Sequence, residues 1–116
     1  MFADPQTVTV NAVAQVMPRV KVDGTSAIYQ KSDLSFKLTL SHQLSNKRIR
    51  SMGRIDQRAI VADPLTAEND YETLSFYFVV DRPEVGFSST QVDQLIAGLK
   101  TWLDTTASGK LYGQES

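Results

Sequence analysis

The chain has 116 residues, 41% of them hydrophobic and 22% charged, and a formal net charge of −1. Such a length suits a single domain, here spanning residues 1–116, that buries roughly two thirds of its unfolded surface. The absence of cysteine excludes disulfides and thiolate chemistry, while bulk charge this close to zero neither favours nor opposes a polyanionic partner.

The first patterned segment, TVTVNAV (Thr7–Val13), alternates strictly and is β-branched, which predicts a half-buried strand. RVKV (Arg19–Val22) alternates again and runs into Asp23-Gly24, a turn signal. SAIYQ (Ser26–Gln30) is a weaker third strand. In LSFKLTLS (Leu34–Ser41), Leu34, Phe36, Leu38 and Leu40 share one face, and Ser35, Lys37, Thr39 and Ser41 the other. A polar turn is expected over Gln43–Lys47, then a fifth strand over Arg48–Ala62 in which Gly53 permits a bend. DPLTAEND (Asp63–Asp70) has loop composition. TLSFYFVV (Thr73–Val80) is a sixth strand with Leu74, Phe76, Phe78 and Val80 to one side.

Helical periodicity appears only after Pro83 and Gly86. In SSTQVDQLIAGLKTWL the apolar positions Val92, Leu95, Ile96, Leu99, Trp102 and Leu103 recur at helical spacing. Ser88 with Gln91 fits a capping box. The helix is placed at residues 88–104, and the polar tail 105–116 either holds a short second helix or frays. This order defines an α+β chain: an antiparallel meander of about five or six strands, an N-terminal hairpin plus a main sheet, followed by a C-terminal helix. The connections are too short for parallel crossovers.

A helix of about sixteen residues is about 24 Å long. Five or six strands at about 4.8 Å spacing make a sheet about 25 Å wide, which takes two helices side by side. The apolar face is therefore expected to stay partly wet in one chain. The stripe Val92, Leu95, Ile96, Leu99, Trp102 and Leu103 is expected to pack on a partner subunit in a dimer.

Charge is unevenly distributed. Seven of the twelve basic residues lie between Lys31 and Arg58, against only Asp33 and Asp56. The polar sheet face is expected to carry Lys37, Thr39, Ser41, Arg48, Arg50 and Arg54, then Thr73, Ser75 and Tyr77. Cations neutralise phosphates, hydroxyls bond base edges and a tyrosine ring stacks on an unpaired base. A solvated sheet face has much the same composition, so on composition alone RNA or DNA binding stands at about one in three.

Six strands in this order, a polar loop before the last, a C-terminal helix and a basic middle resemble the coat proteins of the small single-stranded RNA bacteriophages, the leviviruses. KLTLS (Lys37–Ser41) is similar to that family's Lys-x-Thr-x-Ser strand. The arginine-bearing strand and ETLSFYFVV (Glu72–Val80) fall where its next two strands do. The resemblance implies a virion protein, assembled in the cytoplasm of a bacterial host, that dimerises through sheet edges and builds an icosahedral shell. Helices would cover the partner's outward face, and the inward face would meet single-stranded viral RNA. It also implies an RNA hairpin bound as packaging signal and translational repressor, with Thr39 and Ser41 at adenine-contacting positions and Lys37 near phosphate. Two positions depart from the family pattern: Gln43 replaces an arginine, and Thr73 stands where a stacking tyrosine starts the last strand, with Tyr77 further along it. The loop Asp63–Asp70 would meet its copies around symmetry axes.

His42, the only histidine, has no cluster of metal-ligating residues near it, so a structural or solvent-facing role outweighs catalysis or metal binding by about ten to one. Asp63, Glu68 and Asp70 lack EF-hand spacing, and Pro64 interrupts them. Trp102 reads as core or dimer packing rather than ligand stacking. Neither a phosphate-cradling Gly-rich loop nor a nucleophile motif occurs. The expectation is no enzyme activity, no metal and no cofactor. No apolar run approaches about 18 residues, and MFADPQTV lacks signal-peptide character, which predicts a soluble, non-secreted product with no membrane partner. The competing reading is a cellular sheet-and-helix RNA-binding module that does not assemble. A third is an enzyme subunit or scaffold whose basic strand binds an acidic protein.

Overall fold

Among the described residues, seven strands precede two helices: β1 (Gln6–Val10), β2 (Val13–Met17), β3 (Arg19–Asp23), β4 (Ser26–Gln30), β5 (Phe36–Ser45), β6 (Arg48–Ala62), β7 (Asn69–Pro83), α1 (Ser89–Trp102) and α2 (Thr105–Tyr112). The computed structural model describes residues 2–62, 65 and 69–115. It divides into a strand unit ending at Arg82 and a helical unit beginning at Pro83. β1 and β2 form a hairpin, and the other five strands form one sheet in the order β3-β4-β5-β6-β7.

Several boundaries differ from the sequence expectation, three of them through left-handed backbone. Thr7–Val13 is not one strand. Asn11 and Ala12 take φ values of 51° and 63°, turning the chain so that Val10 pairs with Val13. Two such residues match the twist of a tight hairpin. The turn expected over Gln43–Lys47 contracts to Asn46 and Lys47, at φ 47° and 62°, and β5 continues to Ser45. Leu34 leaves the strand expected for it: its φ of 65° places it in a bend, where its N–H donates to the Lys31 carbonyl at 3.0 Å. β7 outruns Thr73–Val80 at both ends. Within the loop expected at Asp63–Asp70, Asp63, Pro64 and residues 66–68 lie outside the described residues.

β6 occupies the residues expected for it, without the expected bend at Gly53. β5 and β6 stay in register from Phe36 opposite Gln57 to Ser45 opposite Arg48. Gly53 makes room for the Phe78 ring, whose Cζ would lie 2.5 Å from a Cβ placed there.

Register fixes the two faces of the sheet, because cross-strand partners point the same way. Leu38 lies opposite Tyr29 and Ile55, and Leu40 opposite Ala27 and Gly53, which defines the apolar face. The β1–β2 hairpin covers this face over β4 and β5: Val8 and Val10 pack on the buried trio Met17, Tyr29 and Phe36, with Leu38, Leu40 and Ile55 beside them. Tyr29 keeps its hydroxyl satisfied, accepting from Arg19 Nε at 3.4 Å and donating to the Phe2 carbonyl at 3.5 Å. Buried Gln15 accepts from Lys31 Nζ at 2.8 Å. Beyond the hairpin the apolar face is bare, with Leu74, Phe76 and Phe78 on β7 70%, 55% and 54% exposed.

In the helical unit, the Ser88 hydroxyl accepts from Gln91 N and the Gln91 side chain accepts from Ser88 N, the expected capping box. Leu103 caps the other end. Asp104 then starts α2 by accepting from Ala107 N at 2.9 Å, so the tail is helical over Thr105–Tyr112. Leu95, Leu99 and Trp102 are 77%, 62% and 60% exposed, Ile96 is exposed, and Val92 and Leu103 are half-buried. Four of the six stripe residues are thus exposed in the single chain. Among the described residues, no helix is long and apolar enough to cross a membrane.

Candidate nucleic-acid interface

The face opposite the hairpin gathers the polar and basic residues of β5, β6 and β7. Continuous pairing puts Lys37 opposite Asp56, Thr39 opposite Arg54, Ser41 opposite Met52, Gln43 opposite Arg50 and Ser45 opposite Arg48. Arg48, Arg50 and Arg54 therefore share a face with Lys37, Thr39 and Ser41, while Ile49, Ser51 and Ile55 take the other. Contacts across to β7 bring Tyr71, Ser75, Tyr77 and Asp81 to the same face, and alternation carries Thr73 with them. All nine residues expected to contact nucleic acid are on one surface. His42 lies on the opposite face, where its Nδ1 meets Ser51 Oγ at 2.9 Å.

The cations fall into two groups. Arg48 Nε donates to Asp81 Oδ1 at 2.9 Å, and its Nη2 to the Asp81 carbonyl at 3.5 Å. Arg54 Nε donates to Asp56 Oδ1 at 2.9 Å and its Nη2 to Ser75 Oγ at 3.3 Å, while Ser75 Oγ donates to Asp56 Oδ1. The Arg54 guanidinium also stands 5.8 Å from the Tyr77 ring centroid, within cation–π range. Further along, the Arg58 guanidinium lies 4.1 Å from the Tyr71 ring centroid. Among the described residues, no carboxylate lies within 4.0 Å of Lys37, Lys47 or Arg50. Lys37 nevertheless faces Asp56 across the register.

Asp56 is half-buried. Burial pushes its carboxyl up, but hydrogen bonds from Ser75 and Arg54 and the charges of Arg54 and Lys37 outweigh this and hold it below the ordinary aspartate value. It stays ionised and keeps Arg54 paired at neutral pH. From the sequence Asp56 was only one of two acids among seven bases. Its lock on Arg54 depends on Ser75, and the Arg48–Asp81 pair needs β7 to run past Val80; both follow from tertiary pairing. Arg58 and Tyr71 were visible as residue types, and only the β6–β7 alignment joins them.

An antiparallel sheet with a hairpin on its apolar face, a basic polar face and two C-terminal helices is the fold of a levivirus coat protein. The chain belongs to the phage phiCb5 coat protein family, whose description, "Phage phiCb5, coat protein", matches residues 3–83. Solved virus-like particles share the fold. That of bacteriophage AVE019 superposes with a TM-score of 0.81 at 13% identity, covering 96% of this chain and 94% of that one. That of Beihai levi-like virus 21 gives 0.75 at 10% identity over 100% and 98%. That of Wenzhou levi-like virus 1 gives 0.60 at 10% identity over 92% and 94%. No curated protein matches by sequence. As a coat protein the chain is a structural part of a virion and not an enzyme.

Proposed function

We propose that two copies of this chain, each acting as one coat-protein domain, join into a dimer, and that dimers close into an icosahedral shell with the basic sheet face turned inward onto single-stranded viral RNA. The observation that carries this reading is the division of one sheet into two unlike surfaces. One face presents Lys37, Arg50 and the hydroxyls of Thr39, Ser41, Thr73 and Ser75. The other leaves Leu74, Phe76 and Phe78 in solvent.

The dimer reading is supported by β7, a strand of 15 residues at the edge of the sheet. An edge of that length left unpaired invites strand addition, and a second β7 is the natural occupant. The same association supplies a second helical stripe, and Val92, Leu95, Ile96, Leu99, Trp102 and Leu103 are the residues assigned to packing across subunits. The virus-like particles among the fold relatives support closure into a shell. Assembly would take place in the cytoplasm of a bacterial host. Thr39, Ser41 and Lys37 are assigned to a packaging hairpin that also represses translation, and Arg48, Arg50, Arg54, Thr73, Ser75 and Tyr77 to the wider RNA surface.

Ultraviolet cross-linking of purified particles, followed by mass spectrometry of nucleotide-bearing peptides, tests the orientation. Adducts should concentrate in Lys37–Ser41, Arg48–Arg54 and Thr73–Tyr77. Adducts confined to the helices or the β1–β2 hairpin would reverse the assignment of faces.

A further inference from the structure

A surface built only to neutralise phosphate has no use for a carboxylate at its centre, yet Asp56 sits there, opposite Lys37 in the register. Its Oδ1 accepts from Arg54 Nε at 2.9 Å and from Ser75 Oγ, and Arg54 Nη2 donates to Ser75 Oγ at 3.3 Å. The three side chains close a ring of hydrogen bonds across β6 and β7.

That ring has two consequences for Arg54. Two of its nitrogens are engaged, which fixes the guanidinium plane. Its charge is already balanced, so meeting a phosphate gains it little. Beside the fixed plane stands Tyr77, 60% exposed, its centroid 5.8 Å from the guanidinium carbon. Thr39, directly opposite Arg54, places a hydroxyl at the margin.

We propose that Asp56 and Ser75 are positioning residues that withdraw Arg54 from phosphate neutralisation and hold it with Tyr77 as a stacking platform for one unpaired base of single-stranded RNA. This rests on the reading that the polar face meets RNA. A base has a flat π surface whatever its identity, and both aromatic rings and guanidinium planes stack on it. Phosphate neutralisation then falls first to Arg50, which has no carboxylate within 4.0 Å among the described residues. Next comes Lys37, whose charge Asp56 shares without a direct ion pair. The platform adds affinity that salt does not screen, and the free cations add affinity that it does.

The test uses the full-length protein, too dilute to assemble, with a labelled ten-adenosine RNA and an abasic strand of equal length and charge, across a salt series. Wild type should bind the adenosine strand at least about fivefold tighter than the abasic one, the low end of one stacked base. Tyr77→Leu should shrink that ratio and leave the salt slope unchanged. Asp56→Asn should also shrink the ratio while steepening the log–log salt slope by about 0.7, as a released Arg54 neutralises a phosphate. Ser75→Ala should move the ratio the same way by less, and with Tyr77→Leu it carries the test if Asp56→Asn does not fold. A merely structural role for Asp56 would not lower base preference while raising salt sensitivity. An unchanged ratio in Asp56→Asn and Tyr77→Leu overturns the platform and leaves the RNA-facing surface standing. Failure of wild type to bind either strand overturns both.

Discussion

The ring of Phe78 lies against Gly53, where any Cβ would come within 2.5 Å of its Cζ. The contact joins β6 to β7 on the face that the hairpin leaves bare, so a glycine in mid-strand serves close approach rather than a bend. Phe78 is 54% exposed, and in a free chain its ring can swing aside. In the proposed dimer a second copy would cover it and remove that freedom, and overpacking in a closed core costs about 1–3 kcal/mol. Gly53→Ala should fold with a small loss in melting temperature and yield few particles. Gradient sedimentation beside a thermal melt separates the two effects; parental yield would mean that Phe78 stays free in the shell.

Leu99 and Trp102 stand exposed on a helical stripe in the single chain. Truncating a buried tryptophan costs about 3–5 kcal/mol, and here the loss should appear on association rather than in the helix. Trp102→Ala should retain helical circular dichroism yet fail to assemble, because the ring is 60% exposed in the single chain and would be buried only on association. Unchanged particle yield would show that the stripe faces solvent in the shell.

Among the described residues Arg50 has no carboxylate within 4.0 Å, unlike Arg48 and Arg54. Arg50→Gln should flatten the log–log salt dependence of RNA binding by about 0.7, the increment for one phosphate contact on a single strand. Lys37→Ala with Thr39→Ala should reduce hairpin discrimination more than bulk RNA content. Filter binding across a salt series measures the first, and competition between hairpin and linear RNA the second.

The lowered carboxyl of Asp56 fixes the sign of a pH effect. A group whose folded value lies below its unfolded one stabilises the fold above the unfolded value, near 3.8 here, and loses that contribution as pH falls through the folded value. The melting-temperature gap between wild type and Asp56→Asn should therefore hold steady from neutrality to about pH 5 and shrink below about pH 4. A gap that instead grew on acidification would contradict the paired state of Asp56.

Much of the sheet was legible because alternation reports face directly. Arg48–Ala62 and the Ser88–Gln91 box stand where expected, since strand period and capping chemistry are local. An N-terminal hairpin was expected, but its turn at Asn11-Ala12 was hidden because the β-branched run Thr7–Val10 leads straight into it and Ala12, unlike glycine, does not advertise a left-handed residue. Leu34 misled in the same way, extending the apolar pattern back into the bend that precedes β5. At the interface, residue types and faces were readable, but the state of each cation was not. Whether Arg48 and Arg54 are free or held depends on Asp81, Asp56 and Ser75, which only strand pairing brings to them.

The central claim is that this chain closes into a shell around RNA, and expression of the chain alone in bacteria tests it most directly. Size-exclusion chromatography and electron microscopy of the product should show large closed particles whose extracted content is host RNA. A stable monomer or small oligomer at micromolar concentration, with no particles on the grid, would contradict the account and favour a non-assembling RNA-binding module.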